Sequence, residues 1–260
     1  MNRLLGIVVV SLWLSSVAAL VVHDMWPRWT AEPPPGVEAA PRDVQMSILD
    51  ARGGRLGTAW NSVQPSEESL SVESTTVLES VPMLPPIRVE SLMRYLAGRL
   101  DDIQVKVFGL PHLDIMLRGE HMGGGFPCEL RIGPVRRTFA FDDQAMQAMG
   151  EAMRPFSVLP DLAVGRRWQV KLFNPIRQLV GHRADFESVV VEVTGKETVE
   201  HQGRLVECFR VEARDVVAFV DGSGRVLEQR VRLPVIGDLV LRDEPYDEAA
   251  RQAARQRIRQ

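Results

Sequence analysis

From Val44 onward, apolar and polar residues alternate with period two, and no other feature restricts the fold so strongly. In "IQVKV", Ile103, Val105 and Val107 fall on one side and Gln104 and Lys106 on the other. "VQMSI" groups Val44, Met46 and Ile48, and "LSVESTTVL" sets Leu70, Val72 and Leu78 against Glu73 and Thr75. "LDIML" aligns Leu113, Ile115 and Leu117, and "WQVKL" aligns Trp168, Val170 and Leu172. "LEQRVRL" sets Leu227, Val231 and Leu233 against Glu228, Arg230 and Arg232. One apolar and one wet face is the pattern of an antiparallel sheet. "SVVVEV" and "VVAFV" are richer in apolar residues and read as more central strands. The connections "RGGR" (52–55), "EHMGGG" (120–125), "HQGR" (201–204) and "DGSGR" (221–225) are hairpin turns. In the last, Asp221 bonds forward to the backbone while Gly222 and Gly224 are free to take positive φ. Residues 44–242 hold about ten such strands, more than a flat sheet accommodates. The expected fold is mainly β (α+β), a curved antiparallel sheet or half barrel wrapping one or two helices.

The helix expected inside the sheet is "FDDQAMQAMGEAMRP", capped by Asp142, stapled by Phe141 and Met146 and stopped by Pro155. Met146, Met149 and Met153 line one of its faces. A second helix is expected over 88–100 ("RVESLMRYLAGRL"). The tail 243–260 reads as a charged helix, with Asp247 and Arg251 four residues apart and arginines towards its C-terminal end. Its small apolar surface predicts a solvated or frayed end.

Ahead of the sheet, Leu4–Val22 is 19 residues without a charge. A helix crosses a bilayer with about 20 apolar residues. Arg3 precedes the run and His23 and Asp24 follow it, which keeps the N-terminus in the cytoplasm and exports the rest. A cleaved signal peptide, with Ser16 and Ala18 before the cut, is the competing reading. The run continues four residues past Ala18, which favours a single-pass anchor over residues 1–22. Residues 23–43 carry Trp26 and Trp29, suited to the headgroup zone, and the stiff Pro33–Pro34–Pro35, so they read as a spacer. The organisation expected is anchor (1–22), spacer (23–43), extracytoplasmic β domain (44–242) and charged tail (243–260), with an inner-membrane protein facing the periplasm.

A formal net charge of −3 argues against a dedicated nucleic-acid binder. "GEHMGGGF" has the glycines of a phosphate loop but no lysine, and "PCELRI" after it reads as a strand. His112 and Asp114 alternate on one strand and His121 returns across a hairpin, a feasible start to a metal site. No second cluster supports them, so surface residues are the simpler reading and no cofactor is expected. The serines of "SSV", "PSEES" and "GSG" lack the strand-to-helix setting of a nucleophile elbow. Cys208 lies in a strand beside Arg210 and reads as a structural thiol. Cys128 and Cys208 form either a disulfide, outside the cytosol and if the fold joins them, or two buried apolar side chains.

Three stretches carry a resemblance: "LPDLAVGRRWQVKLFNP" (159–175), "VTGKETVEHQGRLVECFRVEA" (193–213) and "FVDGSGRVLEQRV" (219–231). With the exported alternating strands, they resemble the bacterial lipoprotein-carrier (Lol-type) half barrels. They also resemble uncharacterised exported β-rich domains, some found beside transglutaminase-like domains. The resemblance implies an extracytoplasmic half barrel that holds an apolar ligand or partner segment, and it supplies no catalytic residues. On that reading Met146, Met149 and Met153 face the ligand, with Trp168, Phe173 and Phe186 as further lining. The function expected is a non-catalytic, membrane-anchored binding module for a lipid-like ligand or a partner. A structural or assembly subunit of a bacterial envelope complex is the alternative.

Overall fold

The computed structural model describes residues 42–81, 85–97, 99–111, 114–123, 125–141, 159, 161–173, 186–233 and 237–257. Fourteen strands form one antiparallel sheet in the order β8-β7-β6-β5-β4-β3-β2-β1-β14-β13-β12-β11-β10-β9. The chain enters at the middle and meanders to one edge through β1 (Arg42–Asp50), β2 (Arg55–Pro65), β3 (Ser69–Leu78) and β4 (Ile87–Leu96). It continues with β5 (Arg99–Phe108), β6 (Ile115–Glu120), β7 (Phe126–Ile132) and β8 (Val135–Phe141). It resumes at the other edge with β9 (Arg167–Phe173), β10 (Phe186–His201) and β11 (Arg204–Ala213). It returns through β12 (Val216–Asp221), β13 (Val226–Leu233) and β14 (Gly237–Glu244), which pairs with β1. A sheet is therefore assembled from two meandering arms, closed at a central β1–β14 seam.

Strand twist accumulates across so many strands, and sheets of more than about ten strands curl rather than stay flat. The expected curved antiparallel sheet is thus present. It has more strands than the sequence count suggested, because β2, β4, β8 and β14 are strands that the local alternation did not single out.

The ladder separates the two faces residue by residue. On the apolar face, hereafter the inner face, Val63, Val72, Met93 and Ile103 are successive cross-strand partners in β2–β5. They pack with Tyr95, Leu100, Phe126, Cys128 and Phe141 into one cluster. In the other arm Trp168, Val191, Val193 and Val211 continue the inner face across β9–β11 and pack with Val220. At the seam Ile48, Leu56 and Ala59 form a third cluster. Burying each large side chain of this kind stabilises the fold by roughly 1.5–3 kcal/mol.

Two expectations about helices change. Residues 88–100 are not a helix: they are most of β4, a turn and the start of β5. Val89, Leu92, Met93 and Leu96 match a helical spacing, but Val89, Met93 and Tyr95 also alternate. The ladder with β3 and β5 buries Met93 and Tyr95, so tertiary packing decides. The tail does form a helix, α1 (Glu248–Arg257), but it is neither frayed nor fully solvated. It packs on the outer face, where Ala254 and Ala250 meet Trp60, Val77 and Tyr246. Asp247 caps it by accepting from the Ala250 N–H at 2.9 Å. Arg251 is buried and reaches Glu73 at 2.8 Å instead of pairing with Asp247. The described helix therefore lies outside the sheet, not wrapped by it. The helix expected over 142–153 lies outside the described residues, as does Leu4–Val22. Among the described residues no helix is long and apolar enough to cross a membrane.

Candidate binding surfaces

The inner face is the surface to which the resemblance in the sequence directs a search for a ligand. Its side chains are Val, Ile, Leu, Met and aromatic residues from both arms, with Tyr95, Ile103, Phe126, Val193 and Val220 essentially inaccessible. Trp168 lies on β9 within this face and is buried against Val191 and Val193. Phe173 and Phe186 are cross-strand partners at the far end of β9 and β10. Met146, Met149 and Met153 lie outside the described residues.

The hairpin 219–231 is a turn. Asp221 Oδ1 accepts from the Ser223 N–H at 2.8 Å, the Ser223 hydroxyl at 2.6 Å and the Arg225 N–H at 3.0 Å. Gly224 takes φ 84°, a conformation that favours glycine. Burial raises the Asp221 pKa, but those donors and the Arg225 charge outweigh it and hold the carboxyl below its ordinary value. A register shift between Phe219 and Val220 moves Leu227 off the inner face. Leu227 packs instead with Cys208 and Phe219 on the outer side.

The turn also aims Arg225 at Asp243. The Asp243 side chain has no exposed surface and takes the guanidinium on both oxygens, with His201 Nε2 at 3.4 Å. This cluster sits where the tips of two hairpins reach the seam.

The reactive groups considered from sequence are dispersed. Asp114 forms an ion pair with Arg131, and His112 lies outside the described residues. No three His, Cys, Asp or Glu side chains among the described residues are grouped to hold a metal ion. Cys128 belongs to the inner cluster of one arm and Cys208 to the outer cluster of the other, and both are free thiols. Burial pushes the Cys128 thiol up to about 12. Burial, then the charges of Asp221 and Glu207, raise Cys208. Neither is an activated nucleophile.

One surface was not read from the sequence. A groove of about 650 Å³ opens on the outer face, near the 50–54 and 214–215 turns, between β1, β12, β13 and β14. Glu228 is buried in its floor, with Arg230 Nε 2.9 Å from Oε1 and Arg242 Nε 3.1 Å from Oε2. Arg232 pairs with Asp238 and Arg214 with Asp215 along its margin, all four of these side chains more than half exposed. The alternation in "LEQRVRL" placed Glu228, Arg230 and Arg232 together on the wet face. Arg242, Leu49 and Val217 join them only through long-range pairing, which local pattern does not report.

No protein-family model matches the chain, and no curated protein matches it. Among solved structures, the chain is similar to a beta-barrel-like protein of the domain of unknown function DUF1849 from Brucella abortus. Identity is 12%, covering 79% of this chain and 97% of that one, with a TM-score of 0.42. It is also similar to a DUF1089 family protein from Pseudomonas aeruginosa, at 17% identity over 65% of this chain and 87% of that one, with a TM-score of 0.32.

Proposed function

We propose that this chain is a membrane-tethered, extracytoplasmic binding module that performs no catalysis. It holds an apolar ligand or an apolar partner segment against the inner face of its curled sheet, in the manner of a carrier-type half barrel. The observation that carries this reading is the inner face itself, whose apolar clusters run from β8 through the seam to β9 in a single sheet. Apolar concave surfaces with few polar groups suit lipid-like ligands. Trp168 lies on that surface, and Met146, Met149, Met153, Phe173 and Phe186 complete the proposed lining. The uncharged run Leu4–Val22 supplies the single-pass anchor in the inner membrane, with the N-terminus in the cytoplasm and the β domain in the periplasm. Native mass spectrometry of the full chain, extracted in mild detergent, tests the reading. A retained lipid-sized adduct that is lost on substituting Trp168→Ala is expected. A ligand-free mass under conditions that preserve the fold excludes the lipid version.

A second reading, an assembly subunit of an envelope complex, is favoured by the edge strand β8. Among the described strands it pairs only with β7, and Val135 to Thr138 are exposed. Such an edge can accept a partner strand. Cross-linking from a photoreactive residue at Thr138 in membranes should then capture one defined partner, and diffuse labelling counts against it.

A further inference from the structure

The outer face carries apolar patches at Trp60 and Val77 beneath α1 and at Cys208, Phe219 and Leu227, and the groove between β1 and β12–β14 adjoins the second of them. Across one row of the ladder Leu49 pairs with Val240, Val240 with Arg230 and Arg230 with Val217. Three of these four residues are apolar, and Val217 also packs against the cluster of Cys208, Phe219 and Leu227. In the next row Arg242 pairs with Glu228 and Glu228 with Phe219, whose ring lies 5.0 Å beneath the Arg230 guanidinium. An apolar floor and a charged centre are therefore adjacent in one groove.

The charged centre is not neutral. Glu228 is a single carboxylate held by two guanidiniums, with Arg230 on Oε1 and Arg242 on Oε2, so the triad carries one net positive charge. Each guanidinium has five N–H donors, and Glu228 engages only two from each. Both arginine side chains are half exposed, while the Glu228 side chain is 4% exposed. The carboxylate thus acts as a fixed post that splays two guanidiniums towards the groove. At the margin Arg232 pairs with the solvent-exposed Asp238, with Asp215 also nearby, and exposed pairs of this kind exchange partners at little cost. Planar forks of this type favour phosphate and carboxylate oxygens.

We infer that the groove is a binding site for an anionic amphiphile, whose oxyanion head rests on Arg230 and Arg242 and whose apolar portion lies on Leu49, Val217 and Val240. The volume of about 650 Å³ is within the range of small-ligand sites. The site lies on the face opposite the inner apolar clusters, so it neither requires nor excludes an occupant there. A lipid headgroup and a soluble organophosphate share the recognition chemistry, and the apolar floor separates both from bare inorganic phosphate.

Isothermal titration of the full chain in nonionic detergent, with butyl phosphate, inorganic phosphate and butanol as probes, tests the inference. Saturable one-site binding of butyl phosphate is expected, at least several-fold tighter than inorganic phosphate, with none for butanol. Glu228→Gln keeps the size of the post and one acceptor oxygen while removing the charge and releasing one guanidinium, so affinity for butyl phosphate should rise about tenfold. Arg232→Ala, at a side chain 73% exposed, should preserve the fold and lower affinity several-fold. Glu212→Gln, on the same face beyond the groove, should change nothing. Absence of saturable binding overturns the inference, as does binding insensitive to both Glu228→Gln and Arg232→Ala. Equal affinity for butyl phosphate and inorganic phosphate overturns the role given to the apolar floor.

Discussion

Arg225 closes on Asp243 with one terminal nitrogen 2.7 Å from Oδ1 and 2.6 Å from Oδ2, and with Nε 3.2 Å from Oδ1. The aspartate side chain is fully buried, and this ion pair compensates the cost of its burial. Removing one member of a buried pair strands the other, at a cost of about 3–5 kcal/mol. Arg225→Ala should destabilise the domain by about 3 kcal/mol, the low end of that range, because His201 Nε2 remains 3.4 Å away. The combined variant Arg225→Met, Asp243→Leu should recover most of the loss. Denaturant midpoints of the three proteins decide it, and a double variant no more stable than Arg225→Ala contradicts the pairing argument.

Arg251 plays a comparable part beneath α1. It donates to Glu73 at 2.8 Å and to the Tyr246 hydroxyl at 3.0 Å, while the Arg88 guanidinium donates to the Arg255 carbonyl. Little apolar surface holds this helix, since Ala254 is its one buried apolar residue. A ten-residue helix is marginal in water without tertiary contacts. Arg251→Ala should therefore release α1 while leaving the sheet folded. Amide exchange over residues 248–257 should accelerate by about tenfold or more, with protection in β10 and β11 unchanged. Uniform loss of protection would show instead that α1 is required for the whole fold.

The contrast between these two elements explains what the sequence discloses. Hairpin 219–231 is legible as a turn between strands because its information is local: Asp221, Gly224 and the alternation after Arg225 lie within one stretch. The tail is legible as a helix for the same reason. Its docking is not, because Glu73 and Thr75, which accept from Arg251 and Arg255, lie far upstream and nothing in the tail announces them. Residues 88–100 mislead because Leu92 and Leu96 satisfy a helical spacing that the neighbouring strands overrule. The groove depends on Leu49 and Val217 sharing a row with Arg230, which only the closed seam produces. Leu227 shows the finest limit, since one bulge moves it to the opposite face.

The cysteines give a direct readout of the arms. Cys128 is enclosed with Phe126 and Phe141, and its thiol is pushed up to about 12, leaving almost no thiolate at pH 8. Cys208 is buried on the outer side of the other arm, and its thiol is also raised. Neither should react with a thiol reagent at pH 8 until the domain unfolds, and then both should react. Mass spectrometry of alkylated protein with and without denaturant measures this. A mass lower by two hydrogens, marking an intramolecular disulfide, is incompatible with residues on opposite faces of different arms.

The Asp221 turn makes a signed prediction for acid. The fold holds this carboxyl below its ordinary value: burial alone would raise it, but the Ser223 hydroxyl, two backbone N–H groups and the Arg225 charge prevail. A carboxyl depressed on folding adds stability that is fully present above its unfolded pKa of about 3.9. That stability is lost as pH falls through the depressed folded value. Protonation there also weakens the turn that aims Arg225 at Asp243, so the two effects reinforce one another. Asp221→Asn keeps an oxygen acceptor but cannot titrate. It should be less stable than the native chain at pH 7, and the difference should shrink as pH drops below about 4. Thermal midpoints of both proteins between pH 2 and pH 7 provide the measurement. A difference that stays constant across this range removes Asp221 as a source of acid sensitivity.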